Sequence, residues 1–192
     1  MAEQAVKAVI FDCFGVLVRA ALYVFFDKHF AHDEMLQQKA DEIDHMGAAG
    51  YMSFDEQVTA FAELAGIREE QVRVELADTP ANTPLLEYIR DELKPHYKIG
   101  FLSNAAADFT DELFTPEQKA LFDDIVLSYT CGFAKPDERI YELSAHNLEV
   151  TPEESVFVDD TPRYCVGAEA AGMRAVQYND FRQFIRDIEK LL

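Results

Sequence analysis

Cations are scarce in this sequence, and their scarcity limits the partners that the protein can have. Only 17 Lys and Arg stand against 36 Asp and Glu, which gives a formal net charge of −19. A surface this acidic repels the phosphates of nucleic acids and of anionic membranes, so we predict neither as a partner. A small anionic substrate would be repelled as well, so a site for one needs local cations or a metal ion.

Cysteine and long apolar runs are also in short supply. The three cysteines, Cys13, Cys131 and Cys165, are widely spaced and match no disulfide framework or zinc pattern. Reduced thiols of this kind favour a cytoplasmic protein. No stretch approaches the ~20 apolar residues of a membrane span. Residues 1–7 lack a basic segment followed by an apolar run, so we expect no signal peptide.

Apolar residues are plentiful, and their arrangement predicts an α/β fold. They make up 49% of the 192 residues, enough for one domain with a sizeable core and a small insertion. Short apolar runs bounded by turn residues predict five buried strands. The runs span 6–11, 97–102, 125–128, 155–158 and 174–177. Helical patterns separate the strands, which predicts a Rossmann-like, doubly wound parallel sheet.

The stretch between the first two strands differs from the rest because it contains only helical patterns. Within it, Ser53 followed by Glu56 forms a capping-box pattern that predicts the start of a helix. We therefore predict an inserted helical cap over residues 19–79. The core would consist of residues 1–18 and 80–192.

Several helices of the core can be predicted from their boundaries. Pro84 is typical of a first helical turn, with Thr83 predicted as the cap before it. Short helices are predicted over 106–114 and 116–122. A closing helix is predicted over 181–192.

Polar or charged side chains follow three of the predicted strands. Asp12 follows the first strand, Ser103 and Asn104 end the second, and Asp159 and Asp160 end the fourth. The carboxyl ends of parallel strands lie at one edge of a sheet, where open α/β sheets bind ligands. We therefore expect these five side chains to share one crevice.

Carboxylates gathered in one crevice repel one another unless a cation lies between them. Oxygen ligands with no His or Cys nearby suit Mg²⁺. Lys135, in the loop after the third strand, can pair with a carboxylate and with a phosphate. Asp159 and Asp160 have the alternative role of capping the helix that Pro162 begins. Arg163 is either an anion contact or a surface residue.

Four segments together resemble the motifs of the haloacid dehalogenase superfamily of aspartate-nucleophile hydrolases. They are 11–17 (FDCFGVL), 102–104 (LSN), 135–137 (KPD) and 157–162 (FVDDTP). One such motif would be weak evidence, but four in order, each at a strand end or in its loop, are specific. The resemblance covers nearly the whole chain. Within the superfamily, the sequence resembles the subgroup that has a helical cap inserted after the first strand.

The resemblance implies a role for each matching residue. Asp12 would be the nucleophile that takes a phosphoryl group as an aspartyl-phosphate. Ser103 and Asn104 would bind the phosphoryl oxygens. Lys135 would offset negative charge on Asp12 and on the phosphate.

The resemblance also implies a Mg²⁺ site, together with one departure from the family pattern. The ligands would be Asp12, Asp159, Asp160 and the backbone carbonyl of Phe14. Phosphatases of the family usually carry a second aspartate at position 14, which protonates the leaving oxygen and then activates water. Phe14 can do neither, and acid–base help of this kind is worth about a hundred- to ten-thousand-fold in rate.

Three functions remain open at this point. The leading hypothesis is a Mg²⁺-dependent phosphohydrolase of a small phosphorylated metabolite, with impaired acid–base catalysis. The second is a phospho-ligand-binding or regulatory protein with little turnover, which Phe14 favours. The third is a haloacid dehalogenase, because those enzymes carry an aromatic residue at the same position. They need no metal and have a serine-rich fourth motif, whereas this chain has Asp159 and Asp160, so the third hypothesis is the least favoured.

Overall fold

Five parallel strands form one sheet in the computed structural model, which describes residues 5–192. The strands are β1 (Ala8–Phe11), β2 (Lys98–Ser103), β3 (Asp124–Leu127), β4 (Ser155–Asp159) and β5 (Arg174–Gln177). Their order across the sheet is β3-β2-β1-β4-β5. The predicted Rossmann-like α/β class is confirmed, because β1 lies at the centre and the strand order reverses there.

Helices connect the strands and fall into two groups. Between β1 and β2 come α1 (Ala21–His29), α2 (Glu34–Ala48), α3 (Phe54–Ala65), α4 (Glu69–Leu76) and α5 (Thr83–Tyr88). After β2 come α6 (Thr110–Leu113), α7 (Pro116–Lys119), α8 (Ser128–Cys131), α9 (Glu138–Asn147), α10 (Pro162–Ala170) and α11 (Phe181–Ile188). A π-helical turn, Ile89–Leu93, extends α5.

Both faces of the sheet are covered, because β1 is apolar on both. Val9 and Phe11 pack in a cluster with side chains of α5 and α11. Ala8 and Ile10 pack in a second cluster with side chains of α9 and α10. All four residues are fully buried. A central parallel strand needs this continuous apolar character, which is why alternation is missing from its sequence.

The helices α1 to α4 have an apolar core of their own. Its buried members include Phe25, Phe30, Val58, Phe61 and Val72. The predicted capping box at the start of α3 is confirmed: Glu56 N–H donates to the Ser53 hydroxyl, and Ser53 N–H donates to the Glu56 carboxylate. No helix within residues 5–192 is long and apolar enough to cross a membrane.

The prediction that Thr83 caps α5 is wrong. Thr83 is the first residue of α5, and Asn82 precedes it. The Asn82 amide donates instead to the Val16 carbonyl and to the Tyr178 hydroxyl, both at 2.8 Å. Pro84 has no N–H, so fewer backbone donors at this helix start need a cap.

Three predicted helices are shorter than expected. The helix predicted over 106–114 is reduced to α6, that over 116–122 to α7, and the closing helix predicted over 181–192 ends at Ile188. Asp108 Oδ1 accepts hydrogen bonds from the N–H and the hydroxyl of Thr110. Such local bonds compete with helix formation, which delays the start of α6. Of residues 1–7, where no signal peptide is predicted, the first four lie outside the described range.

Candidate active site

The strand β1 brings Asp12 to the carboxyl edge of the sheet. Asp12 directly follows β1, and its N–H donates to the Val158 carbonyl of β4 at 2.9 Å. The chain then turns at Gly15, whose φ of +89° lies in the left-handed region that favours glycine. A Cβ at Gly15 would overlap the carboxylate of Asp160. The loop after β1 therefore lies directly against the residue that follows β4.

Three carboxylates meet at this edge: those of Asp12, Asp159 and Asp160. One oxygen of each lies within 4.8 Å of the other two. Asp159 Oδ1 accepts a hydrogen bond from Thr161 N–H at 2.8 Å, and Asp160 Oδ1 lies 3.2 Å from the Thr161 hydroxyl. Thr161 is the residue before α10, so the acidic pair also fixes how the chain enters that helix.

Lys135 joins two of the carboxylates. Its Nζ donates to Asp12 Oδ1 and to Asp159 Oδ2, both at 2.6 Å, and its side chain is 1% exposed. The ammonium also lies over the rings of Phe157 and Tyr164, at 5.3 and 4.8 Å from their centroids. Burial opposes the charge, but Asp12 and Asp159 outweigh it and raise the pKa of Lys135. Lys135 is therefore a cation at any physiological pH.

The carboxylates carry more negative charge than one lysine offsets. Burial raises the pKa of Asp12 to about 7, with Lys135 acting against the rise and Asp159 and Asp160 adding to it. Burial and the neighbouring Asp159 also raise the pKa of Asp160 to about 6. A divalent cation among these oxygens would remove the repulsion, and hard carboxylate oxygens are the ligands that Mg²⁺ prefers.

The end of β2 contributes Ser103 and Asn104. Ser103 is buried, and its hydroxyl donates to the Asn104 carbonyl at 3.3 Å. The side-chain amide of Asn104 forms two hydrogen bonds with the backbone of Lys135. Its Oδ1 accepts from the Lys135 N–H at 2.8 Å, and its Nδ2 donates to the Lys135 carbonyl at 3.1 Å. Asn104 thus supports the lysine loop. Phosphoryl binding by Ser103 and Asn104 stays a prediction.

Phe14 lies in the loop that follows Asp12. Its ring packs against Phe109 with 5.0 Å between ring centroids. Its backbone pairs with Val18, which fixes the loop that carries the predicted carbonyl ligand. A phenyl ring has no proton to transfer, so this position contributes no acid–base chemistry.

Tyr164 is a site residue that the sequence motifs did not indicate. Besides covering Lys135, it accepts hydrogen bonds on its hydroxyl from Asn104 Nδ2 at 3.4 Å and from Arg163 Nη2 at 2.8 Å. The Arg163 guanidinium carbon also lies 4.8 Å from the Tyr164 ring centroid. The only feature of the sequence that could have indicated Tyr164 is its position as an aromatic residue in the first turn of α10, just after the acidic pair.

Two of the inserted helices reach the same edge of the sheet. From α1, the Tyr23 hydroxyl lies 3.2 Å from the Thr161 hydroxyl. At the end of α2, the Ala48 carbonyl accepts a hydrogen bond at 3.0 Å from Ser128, which follows β3. Burial raises the pKa of Tyr23 to about 12. Tyr23 of α1 and the end of α2 therefore contact residues that border the carboxylates and the lysine.

This combination of sheet, strand-end acids and buried lysine defines a class of hydrolase. A family model described as haloacid dehalogenase-like hydrolase matches residues 6–172. Because the match spans most of the chain, the chain belongs to the haloacid dehalogenase-like hydrolases, and the predicted family is confirmed.

Individual relatives are distant. Bifunctional epoxide hydrolase 2 of Sus scrofa is 25% identical over 98% of this chain and 39% of its own length. Glyceraldehyde 3-phosphate phosphatase of Methanothermobacter thermautotrophicus is 28% identical over 76% of this chain and 65% of its own length. The chain thus spans less than two thirds of both enzymes.

A solved structure supports the fold. A HAD family enzyme from Bacteroides thetaiotaomicron, in complex with magnesium and inorganic phosphate, has a TM-score of 0.71 with this chain. The two are 21% identical, and the likeness covers 95% of this chain and 100% of the other. At this identity the likeness shows the shared fold alone.

Proposed function

We propose that the chain is a Mg²⁺-dependent phosphohydrolase that acts on a small phosphorylated metabolite through an aspartyl-phosphate on Asp12. The observation that carries this proposal is the meeting of Asp12 with Lys135 and two further carboxylates at one edge of the sheet. A relative that is a phosphatase, and a similar fold solved with magnesium and phosphate, support it.

The donor atoms at the site fit Mg²⁺. Three carboxylates offer oxygen ligands within 4.8 Å of one another, and no His or Cys belongs to the group. We propose Asp12, Asp159, Asp160 and the backbone carbonyl of Phe14 as the ligands. The bound ion would supply positive charge that offsets the charge of the phosphoryl group.

The chain's own residues would orient the reactants and exclude water. Lys135 holds the Asp12 carboxylate through its 2.6 Å hydrogen bond, which fixes the nucleophile. Ser103 is proposed to donate its hydroxyl proton in a hydrogen bond to a phosphoryl oxygen. The cap, proposed as residues 19–79, would cover the bound substrate through α1 and α2 and exclude bulk water.

The test is phosphate release from a panel of phosphorylated metabolites. We expect turnover with Mg²⁺, loss of turnover with a chelator, and loss to background in Asp12→Asn. Asp27→Asn is the matched control, because Asp27 is exposed on α1 and lies outside the site. Absence of Mg²⁺-dependent release from every compound, or full activity in Asp12→Asn, would overturn the proposal.

A second candidate function follows from Phe14. With an aromatic ring in place of an acid, the chain is a candidate for a phospho-ligand-binding or regulatory protein with little turnover. This reading expects Mg²⁺-dependent binding of phosphate compounds without their hydrolysis. Turnover that disappears in Asp12→Asn would eliminate it.

The dehalogenase reading rests on the same ring. It expects halide release from 2-chloropropionate without a metal. The three clustered carboxylates oppose it, because they would remain mutually repulsive in a metal-free site. No halide release, with or without Mg²⁺, would dismiss it.

A further inference from the structure

The proposed phosphohydrolase lacks a proton donor where the family usually has one, and the inserted helices contain an acid that could replace it. The inference below rests on the proposed function. Phe14 cannot move a proton, and Lys135 is held by two carboxylates at 2.6 Å, which keep it charged. A proton donor for the leaving group must therefore come from elsewhere around the crevice.

The helix α2 can supply this proton donor, because it is held at the edge of the sheet where the carboxylates lie. The Ala48 carbonyl at the end of α2 accepts a hydrogen bond at 3.0 Å from Ser128, just after β3. Asp44 lies four residues earlier, so it is on the same face of α2 as Ala48. In the sheet, β2 and β1 lie between β3 and β4.

Asp44 also interacts electrostatically with a residue that follows β4, on the other side of the crevice. Arg163, at the start of α10 just after β4, acts on Asp44 electrostatically and lowers its pKa. The end of α2 therefore contacts Ser128 after β3 and carries Asp44 within electrostatic range of Arg163 after β4, so it passes over the ends of the strands in between. Asp12 follows β1, which is one of those strands.

The surroundings of Asp44 leave its carboxyl group available. Asp44 is half-buried, and within residues 5–192 its carboxylate makes no hydrogen bond or ion pair. Burial raises the pKa of Asp44 to about 6; Arg163 and His45 act against the rise and Asp41 adds to it. An acid–base group works best with a pKa near the working pH.

Arg163, the electrostatic partner of Asp44, contacts a residue beside the proposed phosphoryl site. The Arg163 guanidinium donates to the Tyr164 hydroxyl at 2.8 Å, and the Tyr164 ring covers the Lys135 ammonium at 4.8 Å. Within the described residues, Arg163 has no carboxylate within 4.0 Å. For Asp44 to reach it, the leaving group of a phosphate ester bound to Asp12 has to extend past Tyr164 towards Arg163.

We infer that Asp44 is the general acid–base of the reaction, supplied by the inserted helices in place of the missing acid at position 14. In the first half-reaction, an Asp12 oxygen bonds phosphorus, the bond from phosphorus to the leaving oxygen breaks, and that oxygen takes the Asp44 proton. In the second, water bonds phosphorus, the bond to Asp12 breaks, and the Asp44 carboxylate takes the proton of the water. Asp44 ends protonated, as it began.

Tyr23 is the other proton carrier that α1 and α2 bring near the site. Its hydroxyl lies 3.2 Å from the Thr161 hydroxyl and is part of the hydrogen bonding around the acidic pair. With a pKa of about 12, Tyr23 cannot serve as the base that activates water near neutral pH. Asp44 suits both halves of the reaction.

The test compares two leaving groups in the first turnover. A p-nitrophenolate departs without a proton, whereas an alkoxide needs one. In Asp44→Asn we expect release of an alkyl alcohol to slow by about a hundred- to ten-thousand-fold. The first release of p-nitrophenolate should keep its wild-type rate and be followed by accumulation of phosphorylated enzyme, because water is no longer activated.

Two further variants make the result specific. Asp44→Glu keeps the acid and should restore part of the alcohol release. Glu42→Gln, an exposed position on the same helix, should leave both leaving groups unaffected. Stability and the Mg²⁺-induced shift in Tm should be the same in Asp44→Asn as in wild type.

Different results would overturn the role of Asp44 and the proposed function. Unchanged alcohol release in Asp44→Asn, or an equal slowing of both leaving groups, would overturn the role of Asp44 and leave the proposed function intact. Wild-type enzyme without Mg²⁺-dependent phosphate release would overturn the proposed function, and the role of Asp44 with it.

Discussion

Gly15 sets the distance between the loop after β1 and the acidic pair after β4. Its φ is +89°, and a Cβ there would overlap Asp160. We expect Gly15→Ala to cost about 1–2 kcal/mol of stability from the left-handed backbone. Because it also displaces Asp160, phosphate release should fall about a hundred-fold, the loss typical of a 1 Å misplacement.

Gly132 provides the matched control for this substitution. It also has a positive φ, +78°, but a Cβ there would meet nothing within 4 Å. Gly132→Ala should therefore lose similar stability in chemical denaturation and keep its phosphate release. Equal activity in the two variants would contradict the close packing of the loop on Asp160 as a requirement of the site.

The acids and the lysine of the site could be expected from the sequence, because they end or follow apolar runs. Parallel strands bring such residues to one edge whatever the helices do, so Asp12, Lys135 and the acidic pair could be placed together. Tyr164 and Asp44 could not be placed. Their positions depend on the rotation of α10 and α2 over the edge, which no strand-end rule specifies.

Glu75, which lies on α4, joins this helix to α1. Its carboxylate accepts hydrogen bonds from Lys28 at 2.6 Å, His29 at 2.8 Å and Gln71 at 3.0 Å. Burial alone would raise the pKa of Glu75, but these hydrogen bonds outweigh it and lower the pKa to about 2 from the usual 4.5. The carboxylate is therefore bonded more strongly in the folded chain than in the unfolded one.

This contribution to stability depends on pH in a defined direction. Because the folded pKa is the lower one, the stabilisation is complete above pH 4.5 and is lost as the pH falls from 4.5 towards 2. We expect Glu75→Gln to cost roughly 0.5–1 kcal/mol near neutral pH, in the range of partly exposed ion pairs. Denaturant unfolding at several pH values measures it. A cost that persists unchanged below pH 3 would contradict the ionic origin.

The strands were easier to predict than the short helices. Each predicted strand boundary lies within two residues of the observed one, because buried parallel strands are uninterrupted apolar runs. The short α6 and α7 carry few periodic positions, and the hydrogen bonds of Asp108 and Thr115 set their starts. The cap of α5 was mispredicted because Asn82 uses its side chain in a contact with Val16 and Tyr178, which are distant in sequence.

For the whole molecule, the proposed Mg²⁺ site predicts that metal binding contributes to stability. Mg²⁺ that binds the folded chain alone stabilises it by about 2.7 kcal/mol at a hundred times its Kd. For a chain of this length, that corresponds to a rise in Tm of roughly 5–10 °C. Differential scanning calorimetry of wild type and Asp160→Asn measures it, and we expect the variant to lose most of the rise. An equal rise in both would mean that Mg²⁺ binds elsewhere.

The proposed function depends on Asp12 carrying the phosphoryl group, which mass spectrometry of acid-quenched enzyme can detect. The enzyme is mixed with Mg²⁺ and a hydrolysed phosphate ester, quenched within the first turnover and digested. We expect one added phosphoryl group on the peptide that contains Asp12, dependent on Mg²⁺ and absent from Asp12→Asn. Phosphate release with that peptide unmodified at every quench time, or with the phosphoryl group on another residue, would contradict it.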